Sequence, residues 1–252
     1  MQSYLRPFST VNLIEFFCEN YWNLLKYWIF TYIFLEYAIT RNQRYTNRAR
    51  SDCLINTNGN TCSVVGNNDA DGDIIIPSSI VYESKEYKII NISKDAFKQS
   101  YIKSIQFTPD SEIQIIDEHA FDLSFIENIK LPPHLTKICC YAFNNCKYLE
   151  MVEFPPDSEL QIIGEHAFDS SFFEDIKFPP HLTKIGCYAF YKCKNLKTVE
   201  FPSGSELQTI EERAFSESSI EKIIIPSQVI QIKDSAFLNC MFLNSVEFEQ
   251  NS

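Results

Sequence analysis

The dipeptide Ala-Phe begins at positions 96, 120, 142, 167, 189, 214 and 236, in steps of 24, 22, 25, 22, 25 and 22 residues. The alternation defines a double unit of 47 residues. At that offset, without gaps, residues 108–154 and 155–201 share 34 identities in 47, and residues 155–201 and 202–248 share 21. A fixed period of this length points to an array in which each unit packs against its neighbours and cannot bury its apolar face alone. The positions kept in the last two copies are mainly apolar: Ile163/Ile210, Ala167-Phe168/Ala214-Phe215, Ile176/Ile223, Ile185/Ile232, Ala189-Phe190/Ala236-Phe237, Leu196/Leu243 and Val199/Val246.

Each unit ends in a short alternating run, as in ENIKL (127–131), EMVEF (150–154), EDIKF (174–178), KTVEF (197–201), EKIII (221–225) and NSVEF (244–248). Alternation with β-branched residues predicts a strand, and the Pro at 132, 155, 179, 202 or 226 ends it. Equivalent strands in stacked coils pair in parallel, about 4.8 Å apart. Their outward residues are Lys130, Glu153, Lys177, Glu200, Ile224 and Glu247, so this register sets opposite charges side by side over the first four.

The stretch LTKIGCYAFYKCKNLKTVEFP (182–202) resembles the BspA-like leucine-rich repeats of surface proteins from mucosal bacteria and parasitic protists. Ile185, Gly186, Ala189, Phe190, Cys193, Leu196, Val199, Phe201 and Pro202 fill the pattern of that family. Alternate units, such as 160–179, carry Ser171 in place of the Cys. The resemblance spans 53–248 and implies a leucine-rich-repeat solenoid of α/β-type repeats, mainly short parallel strands and turns. On this reading 51–76 forms a β-hairpin cap and first strand, 77–248 forms seven coils, and 249–252 is a tail. Residues 1–50 form a separate helical segment with a basic flank, RNQRYTNRAR (41–50).

The polar clusters read as scaffold. His119 aligns with His166 and His134 with His181, each pair two coils or about 10 Å apart, too far to share a zinc ion; the third copy has Arg213 and Gln228 there. Cys146, Cys193 and Cys240 occupy the family's own Cys position and are expected as buried thiols. Cys140 and Cys187 give way to Asp234, and Cys139 to Gly186, which argues against a thiol nucleophile. Cys53 and Cys62 flank an Asn58-Gly59 hairpin turn in which Ile55 faces Cys62. A disulfide between them requires a bulge or a shifted register. Asn91-Ile92-Ser93 is a glycosylation sequon that matters if the chain is exported.

Residues 11–39, VNLIEFFCENYWNLLKYWIFTYIFLEYAI, lie outside the repeat. Asn12, Glu15, Glu19, Asn23 and Lys26 share one face of a helix, and Tyr27–Leu35 is uncharged. Membrane association, docking on a partner or on the end of the solenoid, and a removed signal peptide all compete here. If the segment spans a membrane, the four Arg after it place the repeats in the cytoplasm, against the cell-surface location that the resemblance implies.

Asp and Glu total 33 against 22 Lys and Arg, a net charge of −11, which disfavours nucleic acid. No phosphate-cradling, zinc-protease or serine-hydrolase motif occurs. No cofactor, metal or catalytic residue is expected. The expected function is non-enzymatic recognition of a protein or glycan, as a surface adhesin or antigen. The binding row would be Asn128/Lys130, Met151/Glu153, Asp175/Lys177, Thr198/Glu200, Lys222/Ile224 and Ser245/Glu247. The alternative is an assembly module that self-associates through the open strand edge at 246–248.

Overall fold

Parallel strands stacked coil upon coil form the protein in a computed structural model that describes residues 53–56, 59–66 and 70–250. All of these residues lie in the unit Ser51–Ser252. The helix expected over 11–39, the rest of 1–50 and the side chain of Cys53 lie outside the described residues, so the expected segment and the Cys53–Cys62 disulfide do too. Among the described residues no helix is long and apolar enough to cross a membrane.

The cap is a hairpin of β1 (Cys53–Asn56) and β2 (Thr61–Val64), with Ile55 opposite Cys62 as its turn predicts. After β3 (Asp71–Ile76), β4 (Ser79–Tyr82) and β5 (Lys85–Ile92) form a second hairpin. Its turn places Glu83 and Ser84 at φ of 49° and 61°, a left-handed pair without the usual Asn or Gly signal. Asn91 of the sequon lies within β5, partly exposed, with its Oδ1 buried and without a hydrogen-bond partner.

From here the coils repeat. One row of strands is β3, β6 (Tyr101–Phe107), β8 (Asn128–Lys130), β10 (Met151–Glu153), β12 (Asp175–Lys177), β14 (Thr198–Glu200), β16 (Lys222–Ile225) and β18 (Ser245–Phe248). A second row of two-residue strands runs through β7 (Ile115–Ile116), β9 (Lys137–Ile138), β11 (Ile162–Ile163), β13 (Lys184–Ile185), β15 (Thr209–Ile210) and β17 (Gln231–Ile232), continuous with β2 and β5. The first row holds two four-stranded sheets, hence about eight turns of solenoid. That is one more than the seven repeats, because β3 opens a turn of its own.

The Ala-Phe turns form the third side. They contain no helix, contrary to the α/β-type expectation, because two left-handed residues bracket each dipeptide. In the six turns from His119 to Asn239, the residue before Ala and the second after Phe have φ of 53–60°. This conformation alternates the amide directions. Tyr141, Phe143 and Asn145 donate to the carbonyls of Glu165, Ala167 and Asp169 in the next coil, at 2.8, 2.7 and 2.7 Å, while Asn144 folds back to Tyr141. The cross-coil bonds of the turn row therefore all run from one coil to its successor.

Inside, Phe97, Phe121, Phe143, Phe168, Phe190, Phe215 and Phe237 stack ring on ring at centroid distances of 4.8–5.5 Å. The Ala beside each Phe leaves room for the turn to approach, and Ala120, Ala142, Ala167, Ala189 and Ala214 are fully buried. The two strand rows contribute columns such as Ile116, Ile138, Ile163, Ile185 and Ile210 to the same core.

The expected parallel register holds with one correction. β8 pairs with β10 and β12 with β14, but no ladder joins β10 to β12. The carbonyls of Glu127 and Glu174 accept the amides of Glu150 and Lys197, while that of Glu150 accepts none among the described residues. The core of the β12 coil also differs from its neighbours: Phe173 stands where Ile126 and Ile220 stand in other coils, and Phe178 where Leu131 and Ile225 do. Both Phe rings meet Phe190, in the coil of β14, edge-on at 6.3 and 5.6 Å.

Candidate binding surface

Period-2 alternation turns every second residue of the first strand row outward. Asn128 and Ser245 are half-buried there, and Lys130, Met151, Glu153, Asp175, Lys177, Thr198, Glu200, Lys222, Ile224 and Glu247 are exposed. The row is largely self-neutralised. Lys130 meets Glu153 at 2.8 Å, Lys177 meets Glu200 at 3.0 Å and Lys222 meets Glu247 at 2.7 Å. Exposed pairs of this kind contribute roughly 0.2–1 kcal/mol each. Glu153 and Lys177, on either side of the unpaired seam between β10 and β12, form no ion pair with each other.

The histidines do not converge. His119, Tyr141, His166 and Tyr188 stack in one column at 4.7–4.8 Å, so each His is separated from the next by a tyrosine ring. Asp122 and Asp169 hold the Nδ1 atoms of His119 and His166 at 3.0 and 2.8 Å. His134 and His181 lie elsewhere on the surface, paired with Glu159 and Glu206 at 3.0 Å. Among the described residues no group of three or more His, Cys, Asp or Glu is arranged to hold a metal ion.

The cysteines sort by depth. The thiols of Cys146, Cys193 and Cys240 donate to the carbonyls of Phe121, Phe168 and Phe215 at 3.1, 3.1 and 3.0 Å. Burial pushes the Cys146 thiol up to about 12 and that of Cys139 to about 11, and raises Cys193 further still. A thiol held protonated is a poor nucleophile. Cys139, Cys140 and Cys187 are partly exposed, and so is Cys240, which the repeat pattern places among the buried thiols.

Near Cys187, Glu211 is a nearly buried carboxylate bonded to Lys184 at 2.9 Å and Lys233 at 2.6 Å. Burial alone would raise its pKa, but the hydrogen bonds and charges of Lys233 and Lys184 outweigh it and hold the carboxyl below its ordinary 4.5. A depressed folded-state value stabilises the fold above the unfolded pKa, and the contribution is lost as pH falls through the folded one. Glu211→Gln is therefore expected to lower the urea midpoint at pH 7, with a deficit that shrinks as the pH falls through the acid range. A deficit independent of pH would show that the carboxylate charge is not what matters.

A second surface feature, an exposed aromatic line, is not among the residues that the sequence pattern singles out. Tyr101, Phe125, Tyr148 and Phe172 follow the Ser or Cys after each Ala-Phe turn and are 58%, 39%, 52% and 49% exposed. Their steps of 24, 23 and 24 residues match those of the strands, and this was the available signal. Tyr101 stacks on Phe125 at 4.9 Å and Phe125 on Tyr148 at 5.1 Å. Phe172 holds the equivalent sequence position in the next coil, without a ring contact to Tyr148. Exposed Met151 and Leu123 belong to the same coils.

The family described as the BspA type leucine rich repeat region matches residues 78–171 and 161–252, in six copies. No curated protein matches the chain. Among solved structures, a leucine-rich repeat protein from Bacteroides ovatus is 26% identical with a TM-score of 0.66, covering 78% of this chain and 51% of its own. The chain thus spans about half the length of that protein. The pneumococcal vaccine antigen PcpA is 19% identical, with a TM-score of 0.57 over 78% of this chain and 68% of its own. A leucine rich cell surface protein from Faecalibacterium prausnitzii is 20% identical, with a TM-score of 0.54 over 78% and 52%. The last two likenesses concern the fold.

Proposed function

The chain belongs to the BspA type leucine-rich repeat family, and from this we propose that it is a non-enzymatic recognition scaffold that binds a protein or glycan partner at a cell surface. The observation that carries the reading is the strand row from Asn128 to Glu247, a regular outward-facing surface on a continuous apolar core. A repeat array of this kind presents substituted positions on a wide, rigid support. The buried thiols cap carbonyls, and the histidines stack on tyrosines or hydrogen-bond to surface carboxylates. The surface location is supported by the descriptions of two structural relatives, one a cell surface protein and one a vaccine antigen.

Protease shaving of intact cells, with detection of the repeat region, tests the location. The expected result is loss of the repeats while cytoplasmic markers persist; protection of the repeats on intact cells overturns the surface reading.

A further inference from the structure

We propose that the seam between β10 and β12 is a hinge. The solenoid then consists of two rigid panels, the first ending at β10 and the second beginning at β12, whose strand-row sides open and close while the second strand row and the turn row hold them together. The hinge belongs to the free protein and stands apart from the recognition reading above.

Along the strand row, the amide that opens each strand donates to the carbonyl at the same place in the coil before. Glu127 donates to Lys103, Glu150 to Glu127, Lys197 to Glu174, Glu221 to Lys197 and Asn244 to Glu221, at 2.7–3.1 Å. At the seam the series fails: the Glu150 carbonyl accepts no amide among the described residues, and no ladder joins the two strands. Side-chain contacts stop at the same place. Glu153 and Lys177 do not pair with each other, although Lys130 pairs with Glu153 and Lys177 with Glu200. The outer rings stack from Tyr101 to Tyr148 and not on to Phe172. Phe154 and Phe178 lie 6.4 Å apart with planes tilted by 41°, whereas Phe178 and Phe201 stack at 5.0 Å.

The other two sides cross the seam unbroken. β9 pairs with β11, Lys137 with Ile162 and Ile138 with Ile163. Beside them Thr136, Gln161, Thr183, Gln208 and Ile230 each donate to the carbonyl one coil back, in a column that starts at Gln114, all at 2.9 Å. In the turn row Tyr141, Phe143 and Asn145 reach the next coil at 2.7–2.8 Å, and Phe143 stacks on Phe168 at 5.1 Å with ring planes 1° apart. Two sides of the coil are therefore fixed by directional bonds and the third is not. Opening costs least where few such contacts cross, and closed sides beside an open one define a hinge axis. The core rings divide in the same way: Phe173 meets Phe168 and Phe190 edge-on, and Phe178 meets Phe190, all in the second panel. Val152 and Ile176, buried on either side of the seam, limit the motion, because wide opening exposes them to water. A partner lying across Glu153 and Lys177 would favour one opening angle over the others.

Distances between paired spin labels, measured by pulsed dipolar electron paramagnetic resonance, test the hinge. The labels are attached through a genetically encoded keto amino acid, because Cys139, Cys140, Cys187 and Cys240 are partly exposed. One pair replaces Gln106 and Ile224 on the strand row and the other replaces Gln114 and Ile230 on the second row. All four residues are exposed, and each pair spans five coil steps, about 24 Å. Thermal melts verify that the labelled proteins fold. The expected distance distribution is about twice as wide on the strand row as on the second row. Equal widths overturn the proposal and leave the seam a static gap. A further variant, Met151→Cys with Asp175→Cys, joins the two lips, since strands that close to pairing distance bring their Cα atoms about 4.8 Å apart, within the span of a disulfide. With the bond confirmed by intact mass, the strand-row distribution should narrow to that of the second row, and reduction should restore its width. A bond that does not form, or a distribution that stays wide with the bond in place, also overturns the hinge. Each of these outcomes leaves recognition by the strand row untouched.

Discussion

Phe190→Ala should be the most damaging single truncation in the core, with a loss of about 3–5 kcal/mol in unfolding free energy. Phe190 is fully buried. Its ring stacks on Phe168 at 5.4 Å and on Phe215 at 5.1 Å, and Phe173 and Phe178 meet it edge-on. Removing it opens a void that four aromatic neighbours line, and the backbone cannot collapse into it because the turn ladders hold the coils at fixed spacing. The loss is a large fraction of the roughly 5–15 kcal/mol that stabilises a typical domain. In a repeat array, stability is a sum of unit terms and nearest-neighbour interfaces. The variant should therefore also weaken coupling between the coils on either side. Urea unfolding followed by fluorescence and by circular dichroism checks both points. The expected result is a lower midpoint with a broadened or two-step transition. A loss below about 1 kcal/mol would mean that the phenylalanine stack is not the principal interface between coils.

Gly66→Ala is the second large effect, and it is local. Gly66 has φ of +71°, and a Cβ built there would lie 1.8 Å from the carbonyl oxygen of Ala96. The left-handed conformation costs a non-glycine residue about 1–2 kcal/mol, and displacing a packed backbone adds about 1–3 kcal/mol. The chain should lift the cap rather than bear the clash, breaking the bond from the Ser93 amide to the Val64 carbonyl, 2.8 Å in the parent. Gly72 provides the control, because it shares φ of +71° but has nothing within 4 Å of its Cβ position. Hydrogen exchange should show lost protection over 61–66 and 85–93 in Gly66→Ala and near-parental protection there in Gly72→Ala. Equal behaviour of the two variants would refute the close approach as the cause.

Much of the scaffold was legible because it is periodic. Ile176, Val199, Ile223 and Val246 can be named as one column from their spacing alone, and the registers of β12, β14, β16 and β18 place them so. Cys146 and Cys193 were readable as buried thiols by the same logic. The break between β10 and β12 was not, because the apolar pattern continues through both strands and backbone pairing depends on the spacing of the coils. The hairpin of β4 and β5 was missed because Glu83 and Ser84 adopt left-handed angles without the Gly or Asn that usually marks them.

The sequence by itself determined the unit, its 47-residue doubling, the parallel register and the identity of the core columns, because a repeated apolar pattern admits one way of burying every copy. The tertiary structure alone decided which exposed residues become neighbours. Tyr101, Phe125 and Tyr148, more than 20 residues apart in the chain, stack with successive ring centroids 4.9 and 5.1 Å apart only when the stacked turns and strands set coil upon coil. The same stacking places tyrosines between the histidines and opens the seam between β10 and β12. Surface adjacency depends on the exact rise and tilt of each coil, which are set by core volumes and cross-coil hydrogen bonds rather than by the period of the pattern.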